Sequence, residues 1–148
     1  MASFTGGRAL EAKLEEIARK VSSAGTLRVG FLEGATYPDG TPVPYIAALN
    51  EFGDLAHNQP PRPFFRNMIE EKSRSWGGAF GKIAKASDYD MDATLGQMGE
   101  GIKGQLQQSI TDLTTPALAP STVRAKGFDK PLIDTGHMQN SVDYEVNQ

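Results

Sequence analysis

An α+β domain is the fold class this sequence predicts: a small antiparallel sheet packed against two or three helices, with long proline-rich loops. Three observations lead there. Apolar residues recur at helical spacing near the start and through the middle of the chain. Short alternating stretches, TLRVGFLEG and SVDYEV, stand far apart near the two ends. Nine prolines and 16 glycines gather in clusters that separate these segments. Strands segregated from long helices favour an α+β arrangement over an alternating α/β one. The 148 residues suit one domain spanning 1–148.

The elements follow in order. Leu10, Leu14, Ile17, Ala18 and Val21 share one helical face with charged residues between them, an amphipathic helix that SSAG ends, with Gly25 as its stop. Leu27, Val29 and Phe31 alternate, as a strand requires. Pro38-Asp39-Gly40 is a turn. VPYIAALNEFG reads as a short helix with Tyr45, Ile46, Leu49 and Phe52 on its apolar side. Pro60, Pro61 and Pro63 break regular structure, and Pro63 stands at the start of the next helix. That helix carries Phe65, Met68, Ile69, Trp76, Phe80 and Ile83; Gly77, Gly78 and Gly81 predict a bend or an end. ASDYD is a break with an N-cap at Ser87 or Asp88.

Met91, Leu95, Met98, Ile102, Leu106 and Ile110 then mark a long core helix, in which Gly96, Gly99 and Gly104 admit another backbone. After the TTPALAP loop, Pro120–Arg124 reads as a helical turn and KGFDKP as a charged loop. Val142, Tyr144 and Val146 close the chain as a half-buried strand. Two strands alone make a marginal sheet, so a third is expected around Ala35–Val43 or from a neighbouring subunit.

Composition narrows the chemistry. The net charge of −3 lacks the basic footprint of a protein that neutralises many phosphates. Zero cysteines exclude disulfides, thiol nucleophiles and thiolate metal sites. No apolar run approaches the ~20 residues of a membrane span, and MASFTGGRALEAKLEE has no apolar core for a signal peptide. No membrane partner and no cofactor are expected. His57 and His137 are the only histidines, too far apart in sequence to mark a metal site. The glycine-rich GGAFG lacks the lysine and strand context of a phosphate cradle.

PLIDTGHMQNSV contains Asp134-Thr135-Gly136, the string that retroviral-type aspartic proteases carry at their catalytic aspartate. Those enzymes place it early, and later strands build the flap and walls. Here 12 residues follow Gly136, and His137 replaces the expected small residue. The simpler reading is that Asp134 or Thr135 caps a short helix after the apolar pair Leu132 and Ile133, with Met138 facing the core and Ser141 leading into the last strand. PPRPFFR could stack on a single-stranded nucleic acid; it reads more simply as a rigid elbow whose Phe64 or Phe65 anchors in the core. A protein without enzymatic activity is therefore expected. A hydrolase using Asp134 and a nucleic-acid-binding module are the alternatives.

Three blocks carry a resemblance. LRVGFLEGATYPDGTPVPYIAALNEFGD, PPRPFFRNMI and PALAPSTVRAKGFDKPLIDTGHMQNSVDYEV, in this order, resemble the tail-component or tail-completion proteins of tailed bacteriophages, including virion-morphogenesis proteins. The resemblance implies a structural virion protein at the head–tail junction, a tail completion, terminator or neck component assembled in the host cytoplasm. Such proteins form rings, often hexameric, that join the tail tube to the connector while genomic DNA passes through without sequence-specific binding. The expected contact residues lie on three proline loops and the final connector. They are Tyr37, Pro38 and Asp39; Pro60, Pro61, Arg62, Pro63, Phe64 and Phe65; Pro116 and Pro120; and Leu132, Asp134 and Thr135.

Overall fold

The computed structural model describes residues 6–113, 124 and 136–148. The chain runs α1 (Gly7–Ser22), β1 (Thr26–Phe31), α2 (Val43–Phe52), a 3-10 turn (Leu55–His57), α3 (Phe64–Ala86), α4 (Met91–Asp112), α5 (His137–Asn140) and β2 (Val142–Asn147). This is an α+β fold in which a two-stranded antiparallel sheet packs on helices.

The alternation read in both end segments sets the register. Leu27 stands opposite Val146, Val29 opposite Tyr144 and Phe31 opposite Val142. Apolar partners thus share a face, and α4 packs against both strands. Its stripe is the one the spacing predicts: Met91, Leu95, Met98, Leu106 and Ile110 are buried, and Ile102 packs beside them. Gly99 lies against the Tyr144 ring, where a Cβ would collide. Gly96 and Gly104 have open space instead, so close approach is needed at one of the three expected glycines.

α3 packs along α4. Phe64 is 1% exposed and meets Phe31 edge-on at 6.1 Å between ring centroids. Ser109 Oγ donates to the Phe64 carbonyl at 2.7 Å, and Trp76 Nε1 donates to Gln105 Oε1 at 2.8 Å. The helix does not end at Gly77, Gly78 and Gly81; α3 is continuous for 23 residues. The helix's own propensity is weakened there, but packing against α4 supplies what it lacks. The cap of α4 also differs from expectation. Ser87 ends α3, and Asp90 caps α4 by accepting from the Ala93 N–H. Asp88 and Tyr89 hold positive φ in the corner between.

Three further expectations change. The third strand expected around Ala35–Val43 does not form; residues 35–42 make a loop closed by a Thr36–Pro42 bridge. Helix α1 ends at Ser22 without Gly25, whose missing side chain instead admits the Asn147 carbonyl. Gly136, at φ 72°, stands at the N-cap of α5 with no side-chain cap; Asp134 and Thr135, expected there, lie outside the described residues. Met138 is buried and Ser141 leads into β2, as read from the sequence.

Candidate functional site

The junction between α2 and α3 is built around a buried carboxylate, Glu51. Val43, Ala47 and Glu51 step by four along α2 and form its buried face. Tyr45 and Phe52, expected to turn inward, are 58% and 67% exposed. The reason is Glu51. Its side chain reaches the first turn of α3, where the N–H groups of Phe64, Phe65 and Arg66 have no partner within the helix. Oε2 accepts from the Phe65 N–H at 2.9 Å, and Oε1 from the Arg66 N–H at 3.2 Å. Arg66 Nε donates to the same Oε1 at 2.7 Å, and an Arg66 guanidinium nitrogen donates to the Glu51 carbonyl at 3.1 Å. The guanidinium also lies 5.0 Å from the Phe52 ring centroid.

The elbow between α2 and α3 is rigid for local reasons. Gly53 has φ 78°, and a Cβ there would meet the Gln59 carbonyl oxygen at 2.7 Å. Asp54 and Gln59 pair as a bridge, and the Arg62 N–H donates to the Asn50 carbonyl at 2.7 Å. Pro60 and Pro61 are exposed at the surface of this loop. Arg62 is buried, and burial pulls its guanidinium below the ordinary arginine pKa. Pro63 starts α3 at its N-cap, Phe64 enters the core and Phe65 is half-buried.

Between α2 and α3 this leaves an open apolar groove of about 310 Å³. Phe31, Pro44, Ala47, Ala48, Phe52, Phe64 and Phe65 line it, with Glu51 and Arg66 at the polar end. Leu55, 95% exposed, and Ile69, 41% exposed, add to the apolar surface of these elements.

The other singled-out residues hold structure. The Tyr37 N–H donates to the Thr41 carbonyl at 2.8 Å, and Asp39 accepts from the Thr41 N–H at 2.9 Å. That backbone bond holds the Asp39 carboxyl below its usual range. Pro38 lies exposed between them. His137 Nε2 donates to the Thr36 carbonyl at 2.7 Å while its ring lies 4.8 Å from the Tyr37 ring, tying the 35–42 loop to α5. His57 Nδ1 meets Asp54 at 2.6 Å, and this bond lowers the Asp54 carboxyl. The structure thus gathers Phe64 and Phe65 at the groove, and sets Tyr37, Pro38 and Asp39 on a separate loop. Pro116, Pro120, Leu132, Asp134 and Thr135 lie outside the described residues.

Among the described residues, Glu51 is the one buried carboxylate, and no His/Asp/Glu group could hold a metal ion. No described helix is long and apolar enough to cross a membrane. What the elbow offers is an open, largely apolar groove. Sequence reasoning missed Glu51; its signal was a lone acid continuing the Val43–Ala47 step, 12 residues ahead of Pro63.

A second apolar surface lies on α1, which buries none of its residues. Leu10, Leu14 and Val21 are 57%, 56% and 45% exposed. Polar contacts hold the helix: Lys20 Nζ reaches the Asp88 carbonyl at 2.9 Å and carboxylate at 3.1 Å, and Lys13 the same carboxylate at 3.4 Å. The amphipathic pattern was legible, but its apolar face is not covered by the described residues. No family model, curated protein or solved structure compared with the chain matches it.

Proposed function

We propose that this chain is a structural virion protein of the head–tail junction in a tailed bacteriophage. In this reading, copies assemble into a ring that joins the tail tube to the connector, and genomic DNA passes through the ring. The order and spacing of the three blocks that resemble tail-completion proteins support it. The geometric observation that carries it is the pair of uncovered apolar surfaces, on α1 and at the α2–α3 groove. Large exposed apolar patches mark places where other molecules bind. A subunit with two different sticky faces joins head to tail, and such contacts form a ring where the rotation between copies closes. The stiff proline elbow adds to this, because a preorganised loop loses little entropy on docking.

Cryo-EM of the purified protein, alone and mixed with isolated tail tubes, tests the reading. A ring of this chain seated on the tube end is expected. A monomer that binds neither tube nor connector overturns it.

A further inference from the structure

We propose that α1 of one copy lays its apolar stripe into the α2–α3 groove of the next copy. The inference rests on the assembly reading above and names the two surfaces that meet. Leu10, Leu14, Ile17 and Val21 fall at i, i+4, i+7 and i+11, the anchor spacing by which an amphipathic helix fills an apolar groove. The groove between Ala48, Phe52 and Phe65 is open, with a volume of about 310 Å³.

The attachment of α1 presents this stripe outward. At about 100° per residue, Lys13 and Lys20 lie within roughly 20° of each other around the helix. The middle of the stripe lies roughly 80° farther round. The ion pairs to Asp88 therefore seat one flank of α1 and leave the leucines to the side.

The stripe cannot fill the groove of its own chain. Asp88 follows the C-terminal end of α3, whereas Phe65 and Arg66 are in its first turn. Arg66 and Asp88 are separated by about 33 Å of helix at ~1.5 Å per residue. Leu10 is only about 15 Å along α1 from Lys20. Donor and acceptor therefore sit at opposite ends of one rigid rod, which is the layout of a head-to-tail contact.

Charge agrees with a second copy as the occupant, and the area sets how strong the contact is. Glu11 borders the stripe on the side away from Lys13 and is exposed. Arg66, paired with Glu51 through Nε but with its side chain 57% exposed, stands at the groove's polar end to meet it. A 16-residue helix covers about 24 Å by ~10 Å, or roughly 240 Å². A stable two-body interface buries about 800 Å² per partner. One such contact is therefore weak, and a ring, in which every copy makes two, uses it where a free dimer cannot.

Disulfide trapping tests this directly, because the chain has no cysteine of its own. Leu14 and Ala48 are both exposed, so Leu14→Cys and Ala48→Cys leave the fold intact. Mixing the two variants under mild oxidation is expected to give mixed dimers, while neither variant alone crosslinks. The double variant is expected to give a ladder of covalent oligomers. A second arm uses Leu14→Glu, expected to weaken association at least tenfold with unchanged circular dichroism and melting. Dimers from Leu14→Cys alone would show α1 pairing with α1 and overturn the inference. Oligomers that survive Leu14→Glu and give no mixed disulfide overturn it and leave the assembly reading standing. No association, either free or on tail tubes, overturns both.

Discussion

Replacing Glu51 with glutamine tests how the elbow is held. Glu51 is 6% exposed, and both of its carboxylate oxygens accept from the first turn of α3. Glutamine has the same shape but one acceptor oxygen. Either orientation therefore turns an NH₂ group toward a backbone N–H, of Phe65 or of Arg66. Hydrogen bonds to a charged group contribute about 1.5–3 kcal/mol each, and an unsatisfied buried donor costs about 1–3 kcal/mol. The Arg66 ion pair adds little, since its side chain is 57% exposed and solvent screens it to below ~1 kcal/mol. One bond lost and the other weakened gives about 2–3 kcal/mol for Glu51→Gln, and about 3 kcal/mol for Glu51→Ala. Urea unfolding followed by circular dichroism, with the slope unchanged, measures this. If Glu51 only filled space, glutamine would serve as well. A Glu51→Gln loss below ~0.5 kcal/mol would refute the capping argument.

Other outcomes follow from the same geometry. Phe64→Ala removes a 1%-exposed ring and is expected to cost about 3–5 kcal/mol in urea unfolding, whereas Phe65→Ala, half-buried, costs less. Gly53→Ala forces a side chain into φ 78° against the Gln59 carbonyl and is expected to cost about 1–3 kcal/mol by the same assay. Gly99→Ala pushes a methyl into the Tyr144 ring, with an expected cost of about 1–3 kcal/mol; trimming Tyr144 to leucine in the same chain should recover part of it, and independent costs would argue against the contact. Hydrogen bonds from Lys20 and then Lys13 hold the Asp88 carboxyl below its ordinary value of 3.8. A carboxyl depressed in the folded state stabilises above its unfolded pKa and loses that contribution as pH falls through the folded value. The protection of α1 amides, relative to their intrinsic exchange rates, should therefore fall below about pH 4, and with added salt, before that of the α4 amides.

How legible each element was depends on where its partners lie. The stripe of α4 could be read because it faces both strands, so every fourth or third position is apolar. The strands could be read because Leu27, Val29 and Phe31 meet Val146, Tyr144 and Val142 on one face. In α3, Gly77, Gly78 and Gly81 misled because their Cβ positions face open space, where glycine costs propensity but no contact. In α2, the hydrophobic side was misassigned because its buried row includes a glutamate. That residue's partners are 14 and 15 positions away, beyond any local pattern. For α1, periodicity gives the existence of an apolar face but not its occupant. The Asp-Thr-Gly string at 134–136 belongs, apart from Gly136, to residues the structure does not describe.

The most direct measurement is cryo-EM of intact virions together with mass spectrometry of their protein content. The account predicts that this chain is present and traces as a closed ring between the tail tube and the connector. Virions that lack the chain, or carry it as isolated copies away from that junction, would contradict the account.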